Sequence, residues 1–134
     1  MPFAHYPPVD RPGAERLRAA AVAWAPLLGA LHAVGLRPYL ELEHGNRDDA
    51  LRLYCEVDGD LLLDASICDE GLPDTPPAAL EDEWTAFVQS PHGTERYLAD
   101  VIIEPPLTFT LLAAKLRDLV DAVGAGERPV RRIW

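Results

Sequence analysis

Glu81, Asp82 and Glu83 stand together beside Trp84. Paired carboxylates divide acid and base work when their surroundings separate their pKa values. Three consecutive carboxylates on a helix point in different directions, so this run reads as a solvated acidic face. Asp64 sits inside the apolar run LLLDASI; by alternation it points to the outer face beside Leu62, as a surface carboxylate or the lining of a groove. Cys55 would need a neighbouring cation or a helix N-terminus to act as a nucleophile, and Tyr54 and Glu56 offer neither. Cys55 and Cys68 read instead as small buried hydrophobes. Two thiols in a chain with a sizeable core also fit a reducing compartment. His5, His32, His44 and His92 are scattered, with no two at a metal-binding spacing. No CxxC, HExxH, DxDxDG, Walker-type or GxSxG pattern occurs. The sequence therefore assigns no catalytic residue, no metal ligand and no cofactor.

The elements that would position these groups follow from periodicity. At 134 residues the chain should bury about two-thirds of its surface, enough for one core. Residues 1–12 hold four of the 13 prolines and read as an extended arm, which Phe3 and Tyr6 could pin to the body. A single α+β domain follows over 13–124, and a basic tail over 125–134. Leu17, Ala21, Trp24, Leu28 and Leu31 predict a long helix over about 13–34, kinked or broken at Pro26 and ended by Gly35. Strands follow at 39–44, 51–57 and 61–67. Val57 paired with Leu61 requires a three-residue hairpin with Asp60 left-handed.

The segment 75–90 is ambiguous. Leu80, Trp84, Phe87 and Val88 at helical spacing favour a short helix begun by Thr75-Pro76-Pro77; the rival is a strand WTAFVQ. Residues 96–104 read as a strand with Tyr97, Ala99, Val101 and Ile103 on one face, broken by Pro105-Pro106. Leu112, Leu116, Leu119 and Val123 predict a last helix over 108–123, stopped by Gly124. The fold class is α+β: an antiparallel sheet with a long N-terminal helix, a short middle helix and a C-terminal helix.

Charge limits the partners. Twenty-two acidic residues against twelve basic ones give a formal charge of -10. Such a surface repels a nucleic-acid backbone, whose affinity for proteins rests on Lys and Arg, and does not attract an anionic membrane. Arg128, Arg131 and Arg132 form the one basic cluster, read as a tail lying on the protein's own acidic surface. A basic protein segment is the natural partner for this field. Ala19 to Leu31 vaguely resembles a secretory signal but contains Pro26 and runs on into the helix-plus-strand pattern, so the expected location is cytoplasmic.

The segments AERLRAAAVAWAPLLGALHAVGL, RPYLELEHG, LRLYCEVDG, LLLDASIC, PPAALEDEW, RYLADVIIEP and TFTLLAAKLRDLVDAVG, in that order and with this acidity, resemble the type III secretion chaperone-like fold and its YbjN relatives. The likeness covers most of 13–124. It implies a non-catalytic homodimer that binds an extended stretch of a client. It also implies a dimer contact at Leu80, Trp84, Phe87 and Val88, with Leu98 and Ile102 as a second option. Tyr54, Leu62, Glu41, Glu43 and Glu56 are the expected client-facing residues, Asp48 and Asp49 adding to the acidic field. Two alternatives remain. One is an α+β cone enzyme or ligand-binding domain with His32, Tyr39, His44 and Asp64 around a pocket. The other is an immunity or antitoxin-like inhibitor of a basic nuclease.

Overall fold

The computed structural model describes residues 10–44, 49–58, 60–67, 71–90 and 97–134. The expectations for 1–9, for Asp48 and for Cys68, His92 and Arg96 lie outside the described residues. The chain is α+β. Two short helices, α1 (Arg11–Ala23) and α2 (Ala25–Ala33), precede strands β1 (Arg37–Glu43), β2 (Ala50–Val57), β3 (Leu61–Ile67), β4 (Trp84–Gln89) and β5 (Ala99–Ile103). Helix α3 (Phe109–Gly124) and strand β6 (Val130–Ile133) complete it. The strands form one sheet in the order β1-β2-β3-β4-β5-β6. The first five are antiparallel, and β6 returns parallel to β5.

The N-terminal helix is two helices. Pro26 has no N–H and its ring clashes with the carbonyl four residues back. The ladder breaks at Trp24 (φ -93, ψ 7), and Pro26 falls within the first turn of α2. Asp10 caps α1 by accepting the Gly13 N–H at 2.8 Å, so the helix starts two residues before the expected position. Its buried line is Ala20, Trp24, Leu27 and Leu31. At the end of α2, Gly35 takes φ +82 and the Leu36 N–H donates to the Leu31 carbonyl at 3.1 Å, which closes the last turn.

The β2–β3 hairpin has the expected register, Val57 opposite Leu61, with Asp60 at φ 60. After β3 the chain doubles back. Gly71 (φ +97) lies so close to β2 that a Cβ there would sit 2.6 Å from the Leu51 carbonyl oxygen. The following loop is fastened to α1: Arg16 forks onto Asp74 at 2.9 and 3.0 Å, and the Trp24 indole N–H donates to the Pro73 carbonyl at 2.9 Å.

The short middle helix is not formed. Residues 76–83 run without regular structure, Leu80 makes an isolated bridge to Leu107, and WTAFVQ is strand β4, paired on both sides. Trp84, Ala86 and Val88 are fully buried on the core face, while Thr85, Phe87 and Gln89 face the other way. Two ladders of backbone hydrogen bonds and period-two burial outweigh the helical spacing of the larger side chains. In α3, Leu112, Leu116, Leu119 and Val123 are buried as expected. Thr108 caps it, accepting the Leu111 N–H at 3.0 Å. The helix runs on through Gly124, and Gly126 (φ +100) supplies the left-handed turn. The basic tail is not loose: its residues make β6.

One core joins all three helices to one sheet face, from Leu42 through Leu53, Cys55, Leu63, Trp84 and Ala86 to Val101 and Ile103. No helix among the described residues covers the other face. No helix among them is long and apolar enough to cross a membrane.

Candidate interaction surface

Alternation along six strands builds the uncovered face. Tyr39, Tyr54, Asp64, Phe87 and Asp100 lie in register across it, ending at Val130. Arg37, Glu56, Leu62 and Gln89 form a second row, and Glu41 lies beside Arg52. Two pairs of rings brace the face. Tyr39 and Tyr54 have centroids 5.6 Å apart, and Phe87 lies 4.8 Å from Tyr97. Tyr97 was expected on one face with Ala99, Val101 and Ile103; the bend at Leu98 turns it to Phe87.

Arg52 is the electrostatic centre of this face. It reaches Asp64 Oδ2 at 3.2 Å and Glu43 Oε2 at 3.3 Å, and the Arg52 and Asp64 side chains are only 14 % and 13 % exposed. Burial works against its charge, but Asp64, Tyr54 and Glu43 outweigh that cost and raise its pKa. Asp64 is thus half of a shielded ion pair rather than a solvated surface carboxylate. The Glu41 carboxyl is pushed up by partial burial. A carboxyl whose folded pKa exceeds its unfolded value is a stability penalty when ionised, and the penalty disappears as pH falls through that range. Glu41→Gln is therefore expected to leave stability within about 0.5 kcal/mol of the parent. Its sign should be favourable at neutral pH and fade in acid, as followed by urea unfolding at several pH values.

The β5–β6 side has a different character. The pairing slips by one residue between Asp100 and Val101, and Arg131 takes φ 56. This bulge sets Val130 opposite Asp100 and Ile133 opposite Ile102, so both apolar residues share the uncovered face. Ile102, Val130 and Ile133 are 36 %, 47 % and 65 % exposed. No sequence motif signals such a bulge, and the apolar pair is interleaved with the basic residues Arg131 and Arg132.

No family model, curated protein or solved structure matches the chain.

The residues expected at a dimer contact separate into two groups. Trp84 and Val88 are fully buried in the core, and Leu80 and Leu98 nearly so, so none of the four is offered to a second chain. Phe87 and Ile102 do lie on the uncovered face. Among the client-facing candidates, Glu41, Glu43 and Glu56 are half-buried there, whereas Tyr54 and Leu62 are buried. The four pocket candidates do not converge: His32 is exposed on α2, His44 pairs with Asp49 at 2.8 Å, and Tyr39 and Asp64 share the sheet face. Cys55 is buried, and that burial pushes its thiol up to about 12, far from a reactive thiolate. No group of three or more His, Cys, Asp or Glu able to hold a metal occurs among the described residues.

Proposed function

We propose that this chain is a non-catalytic protein-binding module, chaperone-like, that works as a homodimer and holds an extended basic segment of another protein. The observation that supports this most is the sheet face on which no helix packs among the described residues. One side of it carries Phe87, Tyr97, Ile102, Val130 and Ile133. The other carries Glu41, Glu43 and Glu56. Contiguous exposed apolar residues on a charged protein mark sites of association. A carboxylate field raises the encounter rate with a basic chain and weakens with salt. The order of helices and strands supports the likeness to the YbjN relatives over most of its length, with β4 standing where the short helix would be.

Sedimentation velocity on the purified protein tests the first part, and binding of an extended Lys-rich peptide at low and high salt tests the second. The expected results are a dimer at micromolar concentration, made monomeric by Ile102→Lys with Ile133→Lys, and a peptide affinity that falls as salt rises. A parent protein that sediments as a monomer removes the dimer. An affinity indifferent to salt removes the electrostatic capture.

A further inference from the structure

The loop before β4 and the loop before α3 enclose a groove of about 450 Å³, lined by Pro77, Ala79, Leu80, Pro106, Leu107 and Phe109 together with Glu81. It lies apart from the residues of the uncovered sheet face. The Leu107 N–H donates to the Leu80 carbonyl at 3.3 Å, and both side chains are nearly buried, so the floor is fixed. Phe109 packs edge-on against Trp24 at 6.2 Å. Prolines in both walls restrict the backbone. A recess held in this way is ready-formed, and filling it costs little ordering. Its size is at the small end for binding pockets, suited to one or two bulky apolar side chains. Leu111, 43 % exposed, extends the apolar surface along α3.

The charged side chains of the two loops have one sign. Glu81, Asp82 and Glu104 are exposed in its two loops. No lysine or arginine occurs between Arg52 and Arg96, or between Arg96 and Lys115. Lys115 itself donates to the Trp134 carbonyl at 3.4 Å. The N-terminus of α3 contributes about half a positive charge that fades within a turn, less than the full charge of each carboxylate.

We infer that this groove seats a bulky apolar side chain of a partner segment in which Lys or Arg flank that residue. The inference rests on the protein-binding reading and names where the segment's apolar anchor goes. The sheet face supplies attraction along an extended chain; the groove supplies the pocket that selects one residue in it.

The test uses the full chain and a short synthetic peptide with one phenylalanine between paired arginines, titrated by isothermal calorimetry and by amide chemical-shift mapping. Expected are shifts at Leu80, Glu81 and Leu107, and an affinity that drops at least about tenfold when serine replaces the phenylalanine. Ala79→Arg, an exposed change that fills and recharges the groove, should remove binding while the circular dichroism stays that of the parent. Glu81→Gln with Glu104→Gln should weaken it. Binding that survives Ala79→Arg, or shifts confined to Glu41, Tyr54 and Glu56, overturns the groove and leaves the protein-binding reading standing. Absence of binding by the phenylalanine peptide also overturns the groove. Loss of the salt-dependent Lys-rich interaction would overturn the wider reading instead.

Discussion

Trp84→Ala is expected to destabilise the fold by about 3–5 kcal/mol, against a total that for domains of this kind is about 5–15 kcal/mol. The ring is fully buried and meets Trp24 edge-to-face at 6.2 Å with an interplanar angle of 82°. Truncation removes that contact and leaves a cavity between β4 and the α1–α2 break, where the paired strands on both sides resist collapse. Trp84→Phe should cost clearly less. The Trp84 indole N–H is buried and has no hydrogen-bond partner among the described residues, so phenylalanine gives up volume but also removes a donor that is already a burden. Urea unfolding checks both, through a fall in midpoint at constant slope. A Trp84→Ala protein with unchanged stability but altered sedimentation would return this residue to an interface, against its burial in a single chain.

How far the sequence reveals this arrangement depends on how local the deciding physics is. The β2–β3 hairpin was legible because alternation and the Asp-Gly-Asp turn act within a few residues: Val57 meets Leu61 and Asp60 is left-handed, as the pattern requires. The buried stripe of α3 was legible for the same reason. The segment before β5 was not. Leu80, Trp84 and Val88 are four apart, a spacing that suits one helical turn and two pleats of a strand equally well. Of the four spaced side chains only Phe87 favoured the helix, and Phe87 turns out to face away from Trp84 and Val88. What decides for the strand is β3 on one side and β5 on the other, both remote in sequence. The α1–α2 break was foreseen from Pro26 but lies at Trp24, because the proline is accommodated in the opening turn of the second helix. The C-terminal arginines concealed a strand whose partner, β5, is reached only across α3. Without that pairing there is no reason to set Val130 and Ile133 on one face. The groove has the same origin: Leu80 and Leu107 belong to loops that meet only after β4, β5 and α3 are in place. Charge was the part read most directly, since it needs no contacts.

Arg52→Met should be nearly as damaging as the loss of Trp84, by about 3–5 kcal/mol at neutral pH, and its pH dependence should identify the cause. The side chains of Arg52 and Asp64 are mostly shielded from water, so removing the cation leaves a shielded carboxylate without its guanidinium. Glu43, whose side chain is 44 % exposed, can turn to solvent, and its loss of a partner should cost little. Asp64 cannot do so without disturbing β2 and β3. In the variant, burial without the guanidinium disfavours the ionised carboxyl and favours its protonated form in the folded state. The native state then holds more protons than the unfolded state through the acid range, and stability increases as pH falls. The deficit of Arg52→Met is thus expected to shrink in acid. Arg52→Met combined with Asp64→Leu should recover much of the loss at neutral pH, because an apolar pair of similar bulk needs no solvation. Unfolding curves for the parent, the two single variants and the double variant across the acid-to-neutral range measure this coupling. A cost below about 1 kcal/mol for Arg52→Met, the level of an exposed ion pair, would show that water reaches the cluster. A deficit that grows in acid would show that Asp64 is not its source.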